Sequence, residues 1–161
     1  MIRPATSDDL PCIGRIWNAA IRETNQTFNS CEKTEDELAD LLAERNAAGH
    51  ALLVVDEGAV VGFGTYGQFR GGVGYGRTME HTLYLDPALR GRGQGRALMA
   101  ALEDHARDGG AHSLIGGIAG ENEASILFHQ KLGYTRIATL PQVGYKFGRY
   151  MDLVLLQKFL T

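Results

Sequence analysis

The sequence predicts one mixed α/β domain. Short apolar runs of strand length alternate along the chain with segments whose apolar residues recur at helical spacing. The 161 residues suit a single core and leave no room for two. No repeat and no linker divides them, and 44% apolar with 22% charged residues is an ordinary globular composition.

Ile2 to Pro4 reads as a short strand. A helix follows, with Ser7 as its expected cap and Leu10, Ile13, Ile16, Trp17, Ala20 and Ile21 along its buried side. Thr24 to Glu32 is polar apart from Phe28 and reads as a loop. Thr34 and Glu37 form a T-x-x-E capping box that starts a second helix, with Leu38, Leu41 and Leu42 as its stripe. Ala51 to Val55 and Ala59 to Gly64 make a hairpin around Asp56-Glu57-Gly58. Arg70 to Gly76 is a glycine-rich, flexible segment carrying one cation and one aromatic.

Thr78 to Leu85 alternates as a strand should, with Thr78, Glu80, Thr82 and Tyr84 on one face and Met79, His81, Leu83 and Leu85 on the other. Pro87 ends it. A glycine loop at 90 to 95 opens a helix that runs to about Asp108 and stops at Gly109-Gly110. Ser113 to Ile118 is a buried strand, and Asn122 caps a helix ending at Leu132-Gly133. Tyr134 to Leu140 and Met151 to Leu156 close the domain, joined by a loop containing Lys146 and Arg149.

The bulk properties exclude several classes of function. A net charge of −3 is far from the basic excess of a nucleic-acid binder. No run of about 18 apolar residues would span a membrane, and the start Met1-Ile2-Arg3-Pro4 is not a signal peptide. Cys12 and Cys31 have neither metal-ligand nor redox spacing, which fits free thiols in a reducing compartment. A soluble cytoplasmic protein without a metal is expected.

The segment Arg90-Gly91-Arg92-Gly93-Gln94-Gly95-Arg96 lies between a strand and a helix. Alternate glycines let backbone N–H groups converge without side-chain obstruction, and the helix start adds its own unpaired N–H groups. Such a nest suits a phosphate or pyrophosphate, with Arg90, Arg92 and Arg96 adding charge. The segment lacks the Gly-Lys-Ser/Thr of a Walker loop and the G-x-G-x-x-G of a dinucleotide site. It matches the coenzyme A pattern Q/R-x-x-G-x-G/A. The loop alone specifies a phosphate anchor, and a plain nucleotide-binding module remains open on this feature.

Two further features point to chemistry. Asn122, Ser125 and His129 stand at i, i+3 and i+7 of one helix and share a face. Glu80 sits in mid-strand between apolar neighbours, where a carboxylate costs free energy unless it is paired, solvated by a cleft or functional. Burial would raise its pKa toward the range that suits a general base.

Taken together, these residues resemble the GNAT acetyltransferase superfamily, and within it the phosphinothricin N-acetyltransferase group. Three stretches carry the resemblance: Glu80 to Leu85 with Arg90 to Gly95; Asn122 to His129 with Leu132-Gly133-Tyr134; and Val143 to Asp152, the most specific to the group. The resemblance implies a single domain around a mostly antiparallel sheet, splayed to admit acetyl-CoA and flanked by about four helices. It implies acetyl transfer to the amino group of a small amino acid or analogue, such as phosphinothricin, methionine sulfoximine or methionine sulfone, by direct attack in a ternary complex. A homodimer is implied on the same basis.

Residue roles follow from the same resemblance. Leu83, Tyr84 and Leu85 would offer backbone groups to the pantetheine arm, as to an added strand. Gly91, Arg92, Gly93, Gln94, Gly95 and Arg96 would hold the pyrophosphate, and Asn122 and Ser125 would touch the pantetheine portion. Phe28, Arg70, Glu80, His81 and Thr82 would face the amine, with Lys146 and Arg149 as further cations. Glu80 is the expected base, with His129 as an alternative base or a shaping residue. Other readings remain: a protein N-terminus or another amine as acceptor, or a non-catalytic acyl-CoA sensor.

Overall fold

The structure is a computed structural model and describes residues 1–161. Seven strands form one sheet in the order β1-β2-β3-β4-β5-β7-β6. They are β1 (Ile2–Pro4), β2 (Leu52–Asp56), β3 (Val60–Gln68), β4 (Thr78–Leu85), β5 (Ser113–Ala119), β6 (Thr135–Lys146) and β7 (Arg149–Phe159). The helices are α1 (Leu10–Glu23), α2 (Glu35–Ala48), α3 (Gln94–Asp108) and α4 (Glu123–Lys131). None is long and apolar enough to cross a membrane.

Strand alternation sorts the core into two layers. Leu52, Val54 and Phe63 pack with Leu10, Ile13 and Ile16 of α1 and Leu38 of α2. Leu53 and Val55 meet Leu98, Met99 and Leu102 of α3 on the other face, where Ile126 of α4 joins them. The mixed α/β architecture with four helices agrees with the expectation.

Local chemistry sets the helix starts. The Thr34–Glu37 capping box is present, with reciprocal hydrogen bonds of 2.9 and 3.1 Å. At α1 the expected cap, Ser7, is displaced by Thr6. The Asp9 carboxylate accepts from the Thr6 backbone N–H at 2.8 Å and is itself held by Arg3. Ser7–Asp9 therefore forms a single 3₁₀ turn before α1 begins.

The closing strands also depart from the sequence reading. In place of a loop from Pro141 to Tyr150, β6 and β7 continue to a two-residue turn, Phe147-Gly148, with Lys146 paired to Arg149. Both turn residues take positive φ, at 54° and 73°, the conformation that closes a tight hairpin. Pro141 does not end β6 because β6 is an edge strand. Its ladder shifts register between Leu140 and Gly144, and the Gln142 N–H bonds to the Asp152 carboxylate at 2.9 Å.

Every neighbouring pair of strands is antiparallel except β4 and β5. That parallel pairing lasts only from Thr78↔Ser113 to Glu80↔Ile115. Beyond it β4 stays with β3 as far as Leu85, while β5 stays with β7 as far as Ala119. The two strands diverge, and a wedge opens with Glu80 at its apex.

Candidate active site

One wall of the wedge is the free edge of β4. In an antiparallel ladder, successive residues direct their backbone groups to alternate sides. The Asp86 N–H donates to Val61 O and Thr78 O accepts from Phe69 N–H, so residues of even number face β3. His81, Leu83 and Leu85 therefore face the wedge, and the last two lie beyond the end of the β4–β5 ladder. The backbone groups of Tyr84 belong to the β3 pairing; its side chain is buried between Phe63 and Trp17.

The glycine loop lies beyond the C-terminal end of β4. Gly91 and Gly93 hold φ of 81° and 80°, a conformation side chains resist. The Arg92 N–H returns to Leu89 O at 3.2 Å, whereas the N–H groups of Gly91 and of Gly93 to Arg96 have no carbonyl partner. Gly95 is buried against Leu85 and Phe128, where a Cβ would come within 3.2 Å of the leucine. The side chains of Arg90, Arg92 and Arg96 are exposed, and the Gln94 amide donates to the Glu57 carboxylate. A nest of free amides among arginines fits a pyrophosphate, and an unpaired strand edge fits the amides of a pantetheine arm.

The opposite wall is α4. Asn122 caps it by accepting from the Ser125 N–H at 3.2 Å, which leaves the amide NH2 unpaired. His129 is buried, with Nδ1 at 2.7 Å from Ser125 O and Nε2 at 3.1 Å from His81 Nε2. A carbonyl only accepts, so His129 Nδ1 carries the proton. In the neutral ring, Nε2 then accepts from the His81 Nε2–H. Burial holds both rings neutral; it lowers the His129 pKa and, with the His129 charge as a lesser cause, pushes His81 down to about 3. The two rings lie parallel, 9° apart, with Tyr134 edge-on to each. Neither nitrogen of His129 is free to act in the wedge in this arrangement.

Two strand glycines make room for these groups. A Cβ at Gly116 would stand 2.8 Å from His81 Nε2, and one at Gly117 would be 3.5 Å from the Glu80 carboxylate. Neither glycine stands out by a motif, yet adjacent glycines inside a buried strand signal close approach by another group.

The wedge opens into two connected depressions. A cleft of about 430 Å³ is lined by Asn25, Gln26, Arg90, Asn122 and Arg149, among others. A narrower pocket of about 190 Å³, called the deep pocket below because it reaches the Glu80 end of the wedge, shares Asn25 and Gln26 and adds Phe28, Glu80, His81 and Thr82. Desolvation raises the Glu80 pKa above the ordinary carboxylate range, with no cation or hydrogen bond opposing it.

None of the three basic residues expected near an acceptor lines the deep pocket. Lys146 donates to the carbonyls of Thr24 and Thr27, at 2.6 and 2.9 Å. Arg149 pairs with Glu121 at 2.9 Å on the rim of the outer cleft. Arg70 lies over the Tyr75 ring in the exposed glycine-rich segment, outside both depressions. Lys146 does not line the deep pocket because its ammonium is taken up by the loop behind it.

Comparison with known proteins agrees with this geometry. Residues 15–134 match the acetyltransferase (GNAT) family. The chain is 39% identical to an L-amino acid N-acyltransferase of Escherichia coli (strain K12), over 97% of this chain and 91% of that protein. It is equally close to an L-methionine sulfoximine/L-methionine sulfone acetyltransferase of Salmonella typhimurium, at 39% over 97% and 92%. Among solved structures, a GNAT superfamily phosphinothricin acetyltransferase from Sinorhizobium meliloti in complex with acetyl-CoA superposes with a TM-score of 0.94. That match is 28% identical over 99% of this chain and 87% of the other. On fold, site and sequence, the chain belongs to the GNAT acetyltransferase family.

Proposed function

We propose that this acetyl-CoA-dependent N-acetyltransferase acts on the α-amino group of a small amino acid or analogue of the methionine sulfoximine, methionine sulfone or phosphinothricin type. The observation that carries this is Glu80. It is an unpaired carboxylate with a raised pKa at the apex of the wedge, beside a pocket of amino-acid size. The names of the relatives supply the acceptor class.

Bound acetyl-CoA supplies an acyl group activated as a thioester. Leu83 and Leu85 would hold its pantetheine arm along the strand edge, with the Asn122 NH2 and Ser125 on the facing helix. Gly91 to Arg96 would hold the pyrophosphate. An α-amino group is mostly protonated near neutral pH and must lose a proton before it attacks. Glu80 takes that proton, directly or through one water. Phe28, His81 and Thr82 wall the acceptor. His129 acts as a positioning residue through His81, since both its ring nitrogens are engaged. Arg70 would reach the acceptor only if its own segment closed over the pocket.

We further propose a homodimer in the cytoplasm. The exposed Val143, Tyr145, Phe147 and Tyr150 at the β6–β7 hairpin give it an apolar face to bury. Sedimentation at the mass of one 17.5 kDa chain would remove the dimer.

The test is release of free thiol from acetyl-CoA against methionine sulfone, methionine sulfoximine, phosphinothricin, unmodified amino acids, polyamines and peptides. Turnover with the first three and little with peptides is expected. Selective turnover with peptides would move the acceptor to a protein N-terminus. Cofactor binding without thiol release for any amine would leave only a sensor.

A further inference from the structure

Every acceptor in the proposed class carries an α-carboxylate, yet no lysine or arginine lines the deep pocket. Glu80, the one acidic side chain there, has the wrong sign for that group. Within this chain, the pocket wall can recognise the carboxylate through neutral donors or through a charge acting across the wall. The 24–28 loop provides both.

Lys146 is 4% exposed, and burial lowers its pKa without an opposing carboxylate. Its ammonium contacts only the carbonyl oxygens of Thr24 and Thr27 and the face of the Phe147 ring. A buried charge is costly, and two carbonyls compensate it less well than an anion would. As a mere tie, a neutral donor would serve at lower cost.

The peptide unit shows what the charge adds. Across a trans peptide, the C=O of one residue and the N–H of the next point in opposite directions, and the chain has no cis bonds. Drawing the Thr24 and Thr27 carbonyls onto Lys146 therefore turns the N–H groups of Asn25 and Phe28 away from it. Neither has a hydrogen-bond partner in the protein, whereas the neighbouring Gln26 and Asn29 N–H groups are satisfied by threonine hydroxyls. Asn25 and Phe28 line the pocket; Lys146 does not. A cation on the carbonyl oxygen polarises the peptide and strengthens its N–H as a donor. The loop is also fixed from the same hairpin by Phe28, whose ring lies so close to Gly144 that a Cβ there would approach within 2.5 Å.

We propose that Lys146 is a positioning residue for the acceptor, holding the 24–28 loop so that the free N–H groups of Asn25 and Phe28 receive the substrate's α-carboxylate. This places the acceptor ammonium toward Glu80 and its carboxylate toward the loop. It rests on the amino-acid reading above and assigns the pocket's anion-recognising element to the backbone.

The experiment compares methionine sulfone with its carboxamide, which keeps the amine and loses the negative charge. Lys146→Met should raise KM for the acid roughly 10- to 100-fold, the worth of a charge-assisted hydrogen bond. It should change kcat and the acetyl-CoA KM by less than about threefold, and KM for the carboxamide little. Lys146→Arg, whose fork reaches two carbonyls, should restore most of the affinity. Equal losses on acid and carboxamide, or no loss, would overturn the proposal. A second measurement needs no variant: in the wild-type protein with coenzyme A, the amide NMR signals of Asn25 and Phe28 should shift with the acid and much less with the carboxamide. Absence of that difference overturns the proposal even if Lys146→Met does not fold. Shifts without acetylation would count against the assigned reaction alone.

Discussion

The proposed cofactor side and the proposed acceptor side of the wedge are built in different ways. The cofactor side is assembled from one continuous stretch, Leu83 to Arg96, with a single helix start at Asn122 brought alongside. It presents backbone amides and exposed arginines to a mobile, highly charged ligand. The acceptor side draws on the 24–28 loop, β4, β5 and the β6–β7 hairpin, and its pocket wall carries no cation. On the proposed assignment, local sequence encodes the holding of the cofactor, and tertiary packing encodes the choice of amine. Substitutions on the two sides should separate accordingly.

The largest effect should come from Glu80→Gln, at the point where the two sides meet. A loss of about 10²- to 10⁴-fold in kcat is expected, with the acetyl-CoA KM unchanged. In the proposed mechanism the active form is the carboxylate, so wild-type activity should fall as pH drops through the raised Glu80 pKa, and the variant should lose that limb. The sign for stability is opposite. A raised folded-state pKa means that the fold favours the protonated acid, a preference fully present below the ordinary carboxylate pKa and lost as pH rises through the raised value. Glu80 is exposed to the open pocket, so Glu80→Gln should raise the melting temperature at neutral pH only slightly. A variant with normal turnover and a flat pH profile would remove Glu80 as the base.

Gly116→Ala should come next, because it breaks the shared wall behind both sides. Its Cβ would press on the His81–His129 pair, and overpacking of this kind costs about 1–3 kcal/mol. Denaturant unfolding reads this directly, and activity should fall with it. Unchanged stability would show that the histidine pair can shift without consequence.

Arg92→Ala tests the cofactor side alone and should have the smallest effect. An exposed charge is screened by salt, so the acetyl-CoA KM should rise only roughly threefold to tenfold, less at high ionic strength, with the acceptor KM unmoved. A change confined to the acceptor would dissolve the division between the two sides.

That division also governs what could be read from the sequence. The capping box at Thr34, the strand at Thr78 to Leu85, the glycine loop and the α4 cap are local patterns, and the fold places each where the pattern put it. The bond between His81 and His129 joins residues 48 apart in the chain, and no spacing rule announces it. Tyr84 reads like its neighbours until the β3 register shows its backbone facing away from the wedge. Lys146 and Arg149 read as loop cations because the strand pattern is clear only as far as Leu140 and resumes at Met151. Only an edge position with a bulge allows β6 to continue and carries both residues to other partners.

The short parallel seam between β4 and β5 has one more consequence. Three residue pairs, ending at Glu80↔Ile115, join a half-sheet of β1 to β4 to a half-sheet of β5 to β7. A ligand lying along the free β4 edge would work as a removable plank across that gap. A ligand bound only by the native state at a hundredfold excess over its Kd adds about 2.7 kcal/mol to stability. Rigidity across the middle of this sheet would then follow the supply of the acyl donor, so that an enzyme short of substrate is also a less securely closed fold.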